Sequence, residues 1–256
     1  MTSRLSRWAT LLVTFAGIGL PWLFARRVLD ANDPIAQEIT FLPASYALII
    51  WAPIYTGFLI FAVWQARAAQ ANNPRVAAIR PWLMLSAVLN AAWFAALALR
   101  HPGWTVPIVL VTLIVALVMH RVGEIGGAAC EASEAWLRLP FSLYAGWLLV
   151  TTFTTLSIEL ARVGWDGFGW SPVTWGILTV VVSSIVGLIA RFRLDDPVVG
   201  AVFVWAYLAI VVQQQQRPLV ALFAGLAAGL FLLSLFVRDR QAPHSRHSGH
   251  SECAEV

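Results

Sequence analysis

Residues 44–64, ASYALIIWAPIYTGFLIFAVW, form an uncharged apolar stretch of the length that a helix needs to cross a bilayer. Within lipid, each backbone N–H and C=O must be paired inside its own segment, so this stretch predicts an α-helix. Seven further stretches of similar character lie at Trp8–Phe24, Pro81–Leu99, Trp104–Met119, Leu139–Leu160, Val173–Ile189, Val198–Val212 and Leu219–Val237. The sequence therefore predicts an all-α integral membrane protein, a bundle of eight transmembrane helices.

The composition agrees with this prediction. Hydrophobic residues make up 59% of the chain and charged residues 12%, whereas about one quarter of the residues in a soluble domain are charged. No room is left for a sizeable soluble domain, and the polar tail after the last stretch is predicted to be disordered. The formal net charge is +4, but the arginines lie at helix ends and form no basic run, so we expect no nucleic-acid partner.

The arginines also predict the orientation in the membrane. If the N-terminus is cytoplasmic, twelve of the seventeen arginines fall in cytoplasmic segments and five in external ones. Positively charged loops are retained on the cytoplasmic side. We therefore expect a multi-pass protein of the bacterial cytoplasmic (inner) membrane with both termini cytoplasmic.

Turn-forming and interfacial residues between the fifth and sixth stretches predict a division of the chain. Gly164, Trp165, Asp166 and Pro172 are typical of a short loop at the headgroup level. The predicted organisation is a five-helix membrane core at 1–164, a three-helix extension at 165–238 and a disordered cytoplasmic tail at 239–256.

Three small residues recur at four-residue spacing on the eighth stretch, at Ala221, Gly225 and Gly229. This pattern allows another helix to approach closely. Packing within the chain is the favoured interpretation, and a homo-oligomer formed through Gly225 and Gly229 is the other.

Thirteen tryptophans are the second unusual feature of the sequence. Trp22 lies near the end of a predicted helix, and eight others lie at predicted helix ends, where aromatic rings anchor a bundle at the membrane interfaces. These eight are Trp8, Trp64, Trp82, Trp104, Trp136, Trp165, Trp170 and Trp175. Trp51, Trp93, Trp147 and Trp205 lie well inside the predicted spans. At about 1.5 Å per residue, Trp51 and Trp93 lie about 10 Å below the outer surface and Trp147 about 18 Å. These depths are compatible with a shared pocket.

Two polar side chains lie at similar depth. Tyr55 and Asn90 are each about 15 Å below the outer surface, and each needs a hydrogen-bond partner there. Tyr55 follows Trp51 by one helical turn, and Asn90 precedes Trp93 by almost one turn, so each pair shares a helix face. The polar pair can bond each other as interhelical contacts, or together with the tryptophans line a pocket for a flat apolar ligand.

A family resemblance rests on these residues and on Pro43, Tyr144 and Trp147. The order Pro43, Trp51-x-x-x-Tyr55, Asn90-x-x-Trp93 and Tyr144-x-x-Trp147 resembles the TspO/MBR family of tryptophan-rich sensory proteins, which includes the peripheral-type benzodiazepine receptors. The resemblance covers residues 1 to about 160. Ala44 and Ser45 stand where the family has proline and tryptophan, and Thr155 stands where it has asparagine.

The resemblance implies a five-helix bundle with an aromatic pocket that accepts porphyrins, sterols or benzodiazepine-type compounds. Carried over residue by residue, it implies ligand binding by Trp51, Tyr55, Asn90, Trp93, Tyr144 and Trp147. No cofactor is required, and a tetrapyrrole is among the ligands that the resemblance implies. The three additional helices make this chain an enlarged, divergent relative.

Other kinds of chemistry find less support in the sequence. Glu159, His120 and Arg191 lie at predicted helix ends, where snorkelling to the interface would explain them, so ion coupling is not expected. Ser183 and Ser184 lack a base at helical spacing, so we expect no enzyme activity and no catalytic residue. His244, His247, His250 and Cys253 in the tail fit no closed metal site, and we assign no metal.

Two functions remain compatible with these sequence features. The first is binding of a planar apolar small molecule inside the membrane, for sensing or transport. The second is a structural or partner-binding membrane subunit in which the inner tryptophans only pack.

Overall fold

The computed structural model describes residues 4–28, 39–99, 101–123 and 135–237, except for the side chains at 20–28, 102, 135 and 137. These residues form eight α-helices and no β-strand. The helices are α1 (Arg4–Val28), α2 (Trp51–Ala66), α3 (Pro74–Ala98), α4 (Pro102–Val122), α5 (Ala135–Arg162), α6 (Pro172–Arg193), α7 (Pro197–Gln213) and α8 (Pro218–Ser234). The predicted all-α membrane bundle is confirmed, since five described helices are long and apolar enough to cross a membrane and α7 and α8 are shorter apolar helices.

Proline sets many of the helix starts. Pro74, Pro102, Pro172, Pro197 and Pro218 each stand in the first turn of their helix, where the missing N–H costs nothing. The sequence-based start of α3 at Pro81 was therefore seven residues late. Asn73 accepts a hydrogen bond from the Val76 N–H and caps the true start at Pro74.

The segment before α2 also differs from the prediction of one continuous helix. Residues Ser45–Ile50 form a 3-10 helix, and the α-helix begins only at Trp51. Pro53 explains the change, because it has no N–H to donate to the carbonyl of Ile49 and its ring would crowd that carbonyl. The tighter helix places Trp51 at the start of α2.

The first five helices form a closed ring. α1 packs against α2 and α3, α4 packs between α3 and α5, and α5 completes the ring against α2. The order around the ring is α1, α2, α5, α4, α3. Side chains at mid-depth on α2, α3, α4 and α5 can therefore meet in its interior.

The last three helices form a group in which α6, α7 and α8 contact one another, and α7 attaches the group to α5. Tyr207 of α7 lies inside the group, and its hydroxyl is within 2.9 Å of Ser183 Oγ and 2.8 Å of Ser184 Oγ of α6. The 3-10 helix also contacts α7, where Trp205 Nε1 donates to the carbonyl of Ala47 at 3.1 Å. This bond gives the inner tryptophan of α7 a structural role.

The buried apolar residues of the ring and of the three-helix group belong to one continuous core. Both groups share this core through α5 and α7, and the division of the chain at 164/165 stays a prediction. The predicted tail at 239–256, with its histidines and Cys253, lies outside the described residues.

The small residues of α8 do not pack inside the chain as a set. A Cβ at Gly225 would meet only Val211, at 3.8 Å, and a Cβ at Gly229 would meet nothing within 4 Å. Val220, Ala224, Ala227, Ala228 and Phe231 instead form the buried face of α8. The face that contains Gly229 is open, and its use between copies of the chain remains a prediction.

Two buried arginines form hydrogen bonds with the backbone at the C-terminal end of α2, at one end of the ring. Arg7 donates to the carbonyl oxygens of Ala66 and Arg67, and Arg80 donates to the carbonyl oxygens of Gln65 and Gln70. The Gln65 side chain accepts from Arg80 Nε at 2.7 Å and donates to the Arg7 carbonyl at 3.0 Å. The guanidinium groups therefore satisfy carbonyls that the helix end leaves free and oppose its negative dipole.

A second buried polar cluster joins the ring to the three-helix group. Asp196, which is fully buried before α7, accepts from His120 Nε2 at 2.9 Å and from the Ser142 hydroxyl. Its other oxygen lies 3.3 Å from Arg138 and caps α7 through the Val198 N–H. The helices α4, α5 and α7 meet at this carboxylate.

Snorkelling was the wrong explanation for His120, Glu159 and Arg191. Their exposed fractions are 2%, 8% and 3%, and each has a polar partner within the protein. Their sequence positions near helix ends were read correctly, but neighbouring helices cover them. Whether these side chains are covered depends on which helices pack against each helix end, and the hydropathy of one helix carries no information about that packing.

We expect Arg80→Met to lower the free energy of unfolding by about 2 kcal/mol or more, because buried acceptors at the end of α2 lose their donors. Thermal unfolding of the purified protein in detergent measures the change. Arg193→Met is the control, since Arg193 is exposed and its replacement should cost less than about 0.5 kcal/mol. Equal effects of the two substitutions would contradict the role of Arg80.

We expect Gly57→Ala to destabilise the protein by about 1–3 kcal/mol, because the added methyl would overlap the rigid Pro140 ring where α2 meets α5. Gly229→Ala, at the open position, should change stability by less than about 1 kcal/mol. Unfolding in detergent and the mass of the protein–detergent complex check both variants. A neutral Gly57→Ala would show that α2 and α5 are less closely packed than described.

Stability should depend on pH through Asp196. Burial acts to raise the pKa of its carboxyl, but the hydrogen bonds from His120 and Ser142, the charge of Arg138 and the Val198 N–H outweigh burial and hold this pKa below its ordinary value. The stabilisation is therefore present above the ordinary pKa of about 3.9 and is lost as the pH falls through the folded-state pKa. Asp196→Asn should unfold more easily near neutral pH and show a flatter dependence in acid. Parallel melting curves from about pH 7 to about pH 3 would refute the assignment.

Candidate functional site

A hydrogen bond inside the ring joins the two polar residues predicted at mid-depth. Asn90 Nδ2 of α3 donates to the Tyr55 hydroxyl of α2 at 3.0 Å. Asn90 is buried, with 7% of its surface exposed. The pairing satisfies part of each side chain's hydrogen-bonding capacity where lipid offers no partner.

Aromatic rings from α2 and α5 surround this pair. Trp51 stacks on Tyr55 with a centroid separation of 5.0 Å and an interplanar angle of 25°. Tyr144 of α5 meets Trp51 edge-on at 6.2 Å and Phe58 edge-on at 5.0 Å. The Trp51–Tyr55 stack follows from their four-residue spacing on α2, and the contact with Tyr144 follows from the α2–α5 packing in the ring.

Four of the six predicted site residues line a single cavity: Trp51, Asn90, Trp93 and Tyr144. Tyr55 reaches the same place through its bond to Asn90 and its stack on Trp51. Trp147 is buried, with 4% of its surface exposed, but it is not part of the lining. The structure thus brings five of the six residues together and places Trp147 next to Leu148, which does line the cavity.

The cavity is small. Its volume is about 10 Å³, which is room for about one water molecule. Porphyrins and sterols are far larger than this space, so the described conformation is closed. Binding of such a molecule would require α2, α3, α4 and α5 to separate or their side chains to change rotamer.

Three polar atoms at or beside the cavity have no hydrogen-bond partner among the residues that the structure describes. They are the indole nitrogens of Trp93 and Trp147 and the hydroxyl of Thr151. A buried polar group without a partner costs about 1–3 kcal/mol, and such groups are uncommon in folded proteins. Trp93 and Thr151 line the cavity itself, so their free polar atoms are available to a water or a ligand in it.

The contributions of α4 to this site were not predicted from the sequence. Val109 and Thr112 of α4 line the cavity, as do Leu148 and Thr151 of α5. The threonines could have been recognised, because they carry hydroxyl groups at mid-span and Thr112 lies about two turns from the buried Thr105 on the same helix face. The valine and leucine gave none, since lipid-facing residues of a span have the same character.

A buried acid lies farther along the same face of α5. Glu159 accepts from the Thr105 hydroxyl of α4 at 2.7 Å and lies 3.4 Å from Arg162. Its second carboxylate oxygen is buried without a hydrogen-bond partner in the described part of the chain. Thr151, Thr155 and Glu159 follow one another at four-residue spacing, so polar groups continue along α5 from the cavity toward the end of the helix.

Comparison with known proteins adds the family. A family model described as TSPO-like protein matches residues 8–237. The match runs through α8, beyond the first 160 residues to which the motif resemblance was confined. Comparison with curated proteins and with solved structures gave no match. The chain is a multi-pass membrane protein, and because the match covers most of its length it belongs to the TSPO-like family.

Proposed function

We propose that this protein binds a planar apolar molecule, porphyrin- or sterol-like, in the aromatic pocket inside the ring, for sensing or transport. The observation that carries the proposal is the convergence of Trp51, Asn90, Trp93 and Tyr144 from three helices on one cavity. Ligand sites of this kind are mostly apolar and aromatic, with a few polar groups that orient the ligand. Family membership supports the proposal.

The free polar atoms indicate what the ligand must offer. The indole N–H of Trp93 can only donate, so the complementary ligand atom is an acceptor such as a carbonyl or carboxylate oxygen. The Thr151 hydroxyl can donate or accept. A flat ring system that carries one or more oxygens would therefore gain stacking area and satisfy groups that are unpaired in the free protein.

Binding in this site must be coupled to opening. The Asn90–Tyr55 hydrogen bond ties α3 to α2 beside the cavity, and Tyr55 in turn stacks on Trp51 of its lining. The cavity of about 10 Å³ has to enlarge before a large ligand enters. The affinity for a large ligand is reduced by the free energy needed to populate the open conformation. A ligand that binds only the open ring would change the relative positions of α2, α3 and α5, which is the physical requirement for a sensor.

The small cavity also favours the second function, a structural or partner-binding subunit whose inner tryptophans pack. A closed aromatic core needs no ligand, and interhelical hydrogen bonds such as Asn90–Tyr55 stabilise membrane bundles by about 0.6–2 kcal/mol. The unpaired atoms of Trp93 and Thr151 favour ligand binding, because both residues line the cavity and no described residue pairs with these atoms.

Titration with protoporphyrin IX, followed by its Soret absorbance in detergent, tests the proposal. We expect saturable binding that Thr151→Val and Trp93→Phe each weaken by about tenfold, corresponding to about 1.4 kcal/mol of lost hydrogen bonding. Thr151→Val should leave the thermal stability of the free protein unchanged or raise it, because the hydroxyl has no partner among the described residues. Thr151→Val would then weaken porphyrin binding without lowering the thermal stability of the protein.

Trp104→Phe is the matched control. Trp104 is 66% exposed at the start of α4, away from the cavity lining, and its replacement should leave porphyrin binding unchanged. Unsaturable binding, or equal affinity in all three variants, would favour the packing subunit. Consumption of the porphyrin by the native protein but not by Trp93→Phe would instead indicate an enzyme.

A further inference from the structure

A second cavity lies between the ring and the three-helix group, where α5 ends and α6 begins. Its volume is about 320 Å³, within the usual range of small-molecule sites of about 300–1,000 Å³. Trp165, Trp170 and Trp175 line it together with Asp166. The sequence interpretation of these tryptophans as interfacial anchors does not account for a cavity among them.

The wall of this cleft is a compact aromatic cluster. Trp175 lies 4.6 Å from Trp165 and 5.6 Å from Trp170, measured between ring centroids. Phe168 contacts both Trp165 and Trp175. Rings that served only as separate anchors in the headgroup layer would not need to meet one another.

The loop that carries these rings is fixed by its own bonds. Trp175 Nε1 donates to the Gly167 carbonyl at 2.7 Å, and the Asp166 carboxylate accepts from the Phe168 N–H at 3.0 Å. Phe168 itself has a φ of 54°, in the left-handed region that a bulky residue rarely adopts. The loop conformation is therefore maintained against local strain, with the rings and the carboxylate at the cleft.

The cleft extends into the bundle along two helices. Its lining includes Ser157, five residues before the end of α5, and Thr179, seven residues after the start of α6. At about 1.5 Å per residue, these positions lie roughly 8–10 Å from the helix ends. The cleft can therefore take a group with an apolar part directed between α5 and α6 and a polar part at the loop.

The polar atoms of the cleft favour a cation. The hydroxyl protons of Thr40, Ser157 and Thr179 are donated to backbone carbonyls, so their oxygens present lone pairs. Asp166 is the one charged residue among the lining residues, all of which the structure describes, and it is exposed. Indole faces add negative quadrupole potential, which attracts organic cations.

We propose that this cleft binds an organic ammonium ion with alkyl substituents, such as a quaternary ammonium group. The aromatic faces supply cation–π contacts, Asp166 supplies the opposite charge, and the apolar walls accept the substituents. An inorganic cation would lose more hydration than this mostly aromatic lining returns. The site is separate from the pocket inside the ring and does not depend on what that pocket binds.

Equilibrium dialysis of the full chain with radiolabelled choline, in maltoside micelles that contain no ammonium group, tests the proposal. We expect saturable binding of choline. The alcohol 3,3-dimethylbutan-1-ol, a neutral isostere of choline, should compete with it at least about tenfold more weakly than tetramethylammonium does. Asp166→Asn should weaken binding by about tenfold while its side-chain oxygen still accepts from Phe168. Equal competition by the neutral isostere, or full affinity in Asp166→Asn, would overturn the proposal.

Two tryptophan variants complete the design. Trp170→Leu removes an exposed ring of the cleft and should weaken choline binding, whereas Trp104→Leu removes a similarly exposed ring elsewhere and should not. Thermal unfolding confirms that both variants are folded. Equal loss of binding in the two variants, or in neither, would contradict a role for the aromatic wall.

Nanodiscs distinguish a lipid headgroup from a free amine as the source of the ammonium group. If phosphatidylcholine occupies the cleft, choline should bind in phosphatidylglycerol nanodiscs and be excluded from phosphatidylcholine nanodiscs. If a free amine is the ligand, choline should bind equally in both. Failure of choline to bind in either nanodisc and in micelles would overturn the proposal, whatever the outcome of the porphyrin titration.

Discussion

Much of this structure depends on one constraint, that polar groups removed from water must find partners inside the protein. At the end of α2 the constraint is met by Arg7 and Arg80, which bond backbone carbonyls of residues 65–70. At the junction of α4, α5 and α7 it is met by Asp196 and the donors around it. These buried bonds fix how helix ends meet, because apolar side chains pack against each other as readily as against lipid.

In the candidate pocket this constraint is only partly met. Asn90 and Tyr55 pair with each other, while Trp93 and Thr151 keep unpaired polar atoms beside a cavity that holds about one water molecule. An unpaired group lowers stability, so its presence beside a cavity is informative in a way that a paired group is not. The cleft where α5 ends and α6 begins has the opposite character, since its hydroxyl groups are paired and its volume is about 320 Å³.

The sequence was sufficient to predict the eight helices and half of the residues that line the pocket, and the reasons are physical. Length and hydropathy predict a helix in lipid, and the spacings of Trp51 with Tyr55 and of Asn90 with Trp93 fix shared helix faces. The sequence pattern does not show how the helices are arranged around the ring. The residues of α4 that line the cavity were therefore not predicted. Hydropathy also placed the start of α3 too late, because Arg75 and Arg80 precede its apolar part.

The same limit explains the errors about charge. His120, Glu159 and Arg191 lie near helix ends, and a pattern in one helix does not report which neighbouring helix covers that end. Asp196 was not recognised as a buried carboxylate because it stands in a short turn between two helices. Its donors come from positions 54 and 76 residues earlier in the chain.

The membership of α5 in both the ring and the contact with α7 has a mechanical consequence. Leu148, at the pocket, and Ser142, at Asp196, lie on the same rigid helix, six residues or about 9 Å apart. A translation of this rigid helix moves both points by the same amount. A translation of α5 that enlarges the ring interior therefore also displaces Ser142 relative to the turn that holds Asp196, and so couples the pocket to the junction with the three-helix group.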